Sequence, residues 1–116
     1  MPMSLVEKKI SKSELAELAK ERYGDLVKAV VDVERGVMAI GAELHSDEEE
    51  HLLEQGSNQK NLWGVNLYPD KSGEEFIEFD SVINLRPTQG NRSRDVLDPA
   101  VRQKVKDLIT KLVVEI

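Results

Sequence analysis

Apolar and polar positions alternate along this chain with two periods, one helical and one extended. Across residues 11–24, Leu15, Leu18 and Ala19 recur at the spacing of one helix face. Ser11 stands three residues before Glu14, the spacing of a capping box, and Gly24 suits a left-handed stop, so a helix is predicted over residues 12–23. Residues 26–44 are rich in valine and isoleucine and are broken by Glu34-Arg35-Gly36, which predicts a hairpin with strands over 26–33 and 37–44. Alternation there puts Met38, Ile40, Ala42 and Leu44 on the better core face, and Val37, Ala39, Gly41, Glu43 and His45 on the other.

A second Ser-to-Glu spacing, Ser46 to Glu49, opens a helix expected to stop at Gly56. Leu52 and Leu53 are expected to face its core, leaving Asp47, Glu50, His51 and Glu54 on the opposite face. A second hairpin follows, with strands over 62–68 and 76–85. If the return strand is regular, Ile77, Phe79, Ile83 and Leu85 share one face and Glu78, Asp80, Asn84 and Arg86 the other. Asp98 and Pro99 suit the cap and first turn of a last helix over 99–112, with Val101, Val105, Leu108 and Leu112 as its apolar stripe. Residues 1–10 read as a tail or an edge strand and 11–116 as one domain. The order αββαββα, with that possible leading strand, predicts an α+β fold: an antiparallel sheet from two β-hairpins, with about three helices on one face.

Composition narrows the classes of function. The chain has 116 residues and a net charge of −6, which argues against general nucleic-acid binding. The absence of cysteine excludes disulfides, thiolate metal sites and cysteine nucleophiles. No apolar run is long enough for a membrane span, and the first ten residues lack the apolar stretch of a secretory leader, so a cytoplasmic location is expected. Sheet edges need cover, which makes a homodimer a candidate assembly.

Against the acidic background, three of the six arginines fall in one loop, Arg86, Arg92 and Arg94. Guanidinium groups match carboxylate and phosphate oxygens in pairs, Gly90 permits close backbone approach, and Asn91 and Ser93 add polar groups before a helix N-terminus. The loop is therefore a candidate binding site for an anionic small molecule or an anionic group on a protein partner. The alternative is that the arginines pair with this chain's own carboxylates and carbonyls. Asn66, Asp80 and Asn84 form a candidate polar patch on the sheet. Both histidines lie among acids, and Glu43, His45 and Asp47 are candidate ligands for a divalent metal, which beside an arginine site suits phosphate-ester hydrolysis. Their spacing matches no established metal motif, and the face carrying Asp47 is most simply read as a solvated helix surface.

The runs Glu43-Leu44-His45, Leu53-Glu54-Gln55-Gly56-Ser57, Leu62-Trp63-Gly64, Asn66, Tyr68-Pro69 and 83–94 resemble a small prokaryotic family of unknown function. The resemblance covers roughly residues 10–112. It implies no activity, cofactor or catalytic residue, so the functional argument rests on the residues themselves.

Overall fold

The computed structural model describes residues 3–114, so the ends of the expected segments 1–10 and 11–116 lie outside the described residues. A five-stranded antiparallel sheet runs through the middle of the molecule in the order β1-β4-β3-β5-β6. Its strands are β1 (Ser4–Val6), β3 (Val27–Asp32), β4 (Val37–Ile40), β5 (Leu62–Leu67) and β6 (Ile77–Glu78). β3 is central, pairing Ala29 with Ile40 on one side and with Val65 on the other. The N-terminal segment supplies a true edge strand, with Leu5 opposite Ala39. A separate parallel pair joins β2 (Ile10–Ser11) to β7 (Val113–Val114).

Three α-helices pack on this sheet: α1 (Lys12–Arg22), α2 (His45–Glu54) and α3 (Pro99–Leu112). They occupy both faces, which corrects the expectation of one. Under α1 and α3 lies the larger core, built from Leu15, Ala29, Val31, Met38, Ile40, Val65, Val105 and Ile109. The smaller core, under α2, joins Val30, Val37, Ala39, Leu52 and Leu62. Strand alternation explains the division: Val30 and Ala39 are cross-strand partners on one face, Ala29 and Ile40 on the other. The face assigned to solvent in the single-layer expectation is thus a second core.

The capping box of α1 forms, with Ser11 Oγ accepting from Glu14 N–H at 3.1 Å and Glu14 accepting from Ser11 N–H at 3.3 Å. The box expected at Ser46 does not form. α2 starts two residues earlier, its N-cap is Leu44, and no side chain caps it. The register follows from what faces the sheet: His45, Glu48 and Leu52 are buried, whereas Leu53, expected inside, is 41% exposed. In α3 the expected stripe is right for Val105 and Leu112, but Ile109 is fully buried and Leu108 only partly.

The expected return strand over 76–85 ends after Glu78. Ser81 Oγ accepts from Ile83 N–H, and residues 82–84 form a 3-10 turn. Asn84 and Arg86 turn inward, and Val82 and Leu85 outward. Among the described residues, no helix is long and apolar enough to cross a membrane.

Candidate functional site

Where β6 leaves β5, the edge at residues 62–64 is covered by side chains of the following loop. Asn84 Oδ1 accepts from Gly64 N–H and its Nδ2 donates to Gly64 C=O, both at 2.9 Å, so one amide substitutes for a strand neighbour. The same Nδ2 donates to Arg94 C=O at 2.9 Å. Gly64 permits this approach: a Cβ there would lie 2.7 Å from Ser81 Cβ and Oγ. Arg86 completes the cover. Its Nε donates to Ile83 C=O at 3.0 Å, one Nη to Gln59 C=O at 2.7 Å and the other to Leu62 C=O. The guanidinium stacks on Trp63, 4.5 Å from the ring centroid. Burial lowers the Arg86 pKa from its usual value, opposed by the charge of Glu49.

The remaining loop residues have distinct fates. Arg86 and Asn91 exchange backbone hydrogen bonds of 2.7 and 3.0 Å around a 3-10 turn that closes on Gly90, whose φ of 80° lies in the left-handed region. Asn91 is buried; its Nδ2 donates to the carbonyls of Asn84, Ser93 and Asp95, and its Oδ1 accepts from Leu97 N–H. Ser93 Oγ accepts from Asp95 N–H at 3.0 Å. Arg92 is exposed. Arg94 Nε pairs with Asp80 Oδ1 at 2.5 Å, with both side chains about half exposed. The three arginines therefore do not converge: Arg86 is an internal clamp, Arg92 faces solvent, and Arg94 turns towards the sheet.

Arg94 does converge with other residues singled out from the sequence. A cavity of about 210 Å³ lies between the start of α2 and the segment 80–83, on the α2 side of the sheet. Its lining includes Lys28, His45, Asn66, Asp80, Ser81 and Arg94, with Leu44 and Val82 exposed at 51% and 61%. Asn66 and Asp80 from the expected polar patch are here, whereas Asn84 lies outside the lining and is committed to Gly64. Lys28 and Asn66 are cross-strand partners, which explains their common face. Nothing in the sequence reading pointed to Lys28. The available signal was a single lysine among Leu26, Val27, Ala29 and Val30, where alternation puts it opposite the larger core.

His45 Nε2 contacts Val65 C=O at 2.8 Å. Because a carbonyl only accepts, Nε2 carries the hydrogen, and the neutral ring keeps its lone pair on Nδ1. Burial lowers the His45 pKa, the Val65 hydrogen bond raises it, and Lys28 and Arg94 oppose Asp80. Asn66 is 8% exposed; its Nδ2 donates to Glu78 Oε1 at 2.8 Å and to Asp80 C=O at 3.4 Å, while its Oδ1 is buried without a partner.

The candidate metal ligands are divided. Glu43 and Asp47 line a different cavity, of about 430 Å³, with Arg22, Glu50, His51 and Glu54. Glu43 is 3.8 Å from Arg22, and His45 is turned to β5. Among the described residues no group of three histidine, cysteine or acidic side chains has a geometry suited to a metal ion.

No curated protein and no solved structure matches the chain. A family model described as protein of unknown function, DUF5674, matches residues 4–112, from the first strand to the end of α3. The chain belongs to this family of unknown function.

Proposed function

We propose that this chain is a binding domain for a small anionic molecule, a carboxylate or a phosphate, held in the cavity between α2 and the segment 80–83. The observation that carries the reading is the meeting of Lys28 and Arg94 in one small cavity with an unpartnered, buried Asn66 Oδ1. Asp80 occupies only Nε of Arg94, leaving its terminal nitrogens for a second partner. The uncapped start of α2 adds N–H groups and the positive end of a helix dipole. This reading moves the anion site from the tip of the loop 86–94 to its end. Arg86, Gly90 and Asn91 hold the loop's shape, and Ser93 closes a local turn.

The volume suits a molecule of a few heavy atoms. The exposed Leu44 and Val82 give its mouth an apolar border. A metal-dependent hydrolase built on Glu43 and His45 has less support, since those side chains line different cavities.

The test is a titration of the whole chain with acetate, propionate and inorganic phosphate, followed by amide chemical shifts. Saturable shifts at Lys28, Ser46, Asn66 and Arg94 are expected. Lys28→Ala and Arg94→Ala should each weaken binding about tenfold, the scale of one charge-assisted hydrogen bond. No saturable shift with any of the three anions would reject the proposal.

A further inference from the structure

Asn66 has an unusual imbalance. Its donor side is fully used by Glu78 and Asp80 C=O, and Tyr68 Oη donates to the same Glu78 oxygen at 3.0 Å. These contacts fix the amide orientation: reversing it would set Oδ1 against the Glu78 carboxylate. The buried, unpartnered atom is therefore an acceptor. A buried acceptor without a donor destabilises the site that holds it. His45 adds a second acceptor, the lone pair on Nδ1, because Nε2 is bound to Val65 C=O. The cavity lining thus brings the two cations Lys28 and Arg94 together with two residues that carry a neutral acceptor, Asn66 and His45.

A carboxylate or the dianion of a simple phosphate monoester brings only acceptors. It can answer Lys28 and Arg94, but it leaves Asn66 Oδ1 unanswered. An ammonium group could donate to Asn66, but it would lie beside the two cations. A hydroxyl donates without charge. Resting on the anion-site reading above, we infer that the ligand is a hydroxylated anion, a hydroxycarboxylate or a hydroxyalkyl phosphate, whose hydroxyl donates to Asn66 Oδ1. Its charged group faces Lys28 and Arg94. Asn66 is then a specificity-determining residue, and the chain Tyr68–Glu78–Asn66 holds its acceptor in place.

The test compares matched pairs on the wild-type chain: lactate against propionate, and glycerol phosphate against propyl phosphate. The hydroxylated member of at least one pair should bind about fivefold or more tightly, the lower end of what an unanswered buried acceptor costs. The pair with the larger ratio distinguishes a carboxylate from a phosphate ligand. A third probe, 2-methoxypropionate, keeps the oxygen of lactate but loses its hydrogen, and should bind no better than propionate. In Asn66→Ala the ratio should fall to about one. Equal binding within both pairs, or methoxypropionate matching lactate, overturns the hydroxyl inference and leaves the anion site standing. If none of these anions binds, both readings fall.

Discussion

At the residue scale, the three arginines of one loop face three environments that composition could not distinguish. Arg86 is 7% exposed and donates to three backbone carbonyls while stacking on Trp63. Removing it takes a donor from each of those carbonyls, although Gln59 C=O keeps the Leu62 N–H, and uncovers an aromatic face. Arg86→Ala should therefore cost about 2–4 kcal/mol, combining lost hydrogen bonds with a lost cation–π contact. Arg86→Lys should recover little, because one ammonium cannot replace the planar fork or its stacking. Arg92→Ala supplies the contrast: an exposed side chain should change stability by less than about 0.5 kcal/mol. Urea unfolding of the three variants measures this order, and a large loss at Arg92 with none at Arg86 would contradict it. Arginine clustering was visible in the sequence. Its division was not, because inward or outward direction depends on the 3-10 turn at residues 82–84, which shifts Asn84 and Arg86 from the expected solvated face.

At the element scale, the main departure from sequence periodicity is the short β6. Residues 76–85 carry strand-like alternation, yet the chain leaves the sheet after Glu78 and returns as a side-chain cover. Hydropathy has no signal for an asparagine that replaces a strand neighbour. Gly64 carried a trace of it, since a glycine inside a strand marks close approach. Gly64→Ala would press its methyl group on Ser81 Cβ and Oγ, where ideal placement gives 2.7 Å, and on Ile83 Cγ1 at 3.1 Å. The expected loss is about 1–3 kcal/mol, as for other overpacked sites. Ser81→Gly removes the nearer obstacle, so the double variant should be less destabilised than the sum of the singles, with a coupling of about 0.5–3 kcal/mol. Additive losses would mean that the two positions do not touch. In α3, periodicity found the buried face but misassigned its centre. Ile109→Ala should cost about 2–5 kcal/mol, and Leu108→Ala clearly less, because only Ile109 is fully enclosed. Equal losses would reject that placement of the helix face.

At the scale of the whole molecule, the α+β class and the order of the main elements were legible because they rest on periodicity and on caps such as Ser11, whereas the leading strand was one of two readings of residues 1–10. The second core layer was not. The face of α2 that meets the sheet carries His45 and Glu48 beside Leu52, so polar residues mask an inward face. The cavity was legible only in fragments, as His45, Asn66, Asp80 and Arg94 were noted separately, and tertiary packing joins them with Lys28. Those same buried polar groups give the fold a pH dependence. Burial raises the Glu48 pKa well above 4.5, outweighing the hydrogen bond that its Oε2 accepts from Ala42 N–H; Lys28 and Arg22 also oppose the rise, and Asp47 adds to it. A carboxyl group with a raised folded pKa contributes its full stability below the unfolded pKa and loses it as pH climbs through the folded value. His45 has the opposite sign. Its lowered pKa means that its contribution is complete above pH 6.5 and is lost as pH falls through the folded value.

The two effects separate by mutation. Glu48→Gln has the shape of the neutral acid and keeps an acceptor for Ala42 N–H. At pH 4 it should match the wild type closely. Above pH 4.5 the unfolded wild-type chain releases the Glu48 proton while the folded chain retains it. The gap in favour of the variant should then widen by up to about 1.4 kcal/mol per pH unit until the folded pKa is reached. Thermal unfolding at half-unit steps from pH 4 to 8 measures the gap, with each kcal/mol moving the midpoint by on the order of 5 °C. A constant gap across that range would show that the buried Glu48 does not titrate with folding.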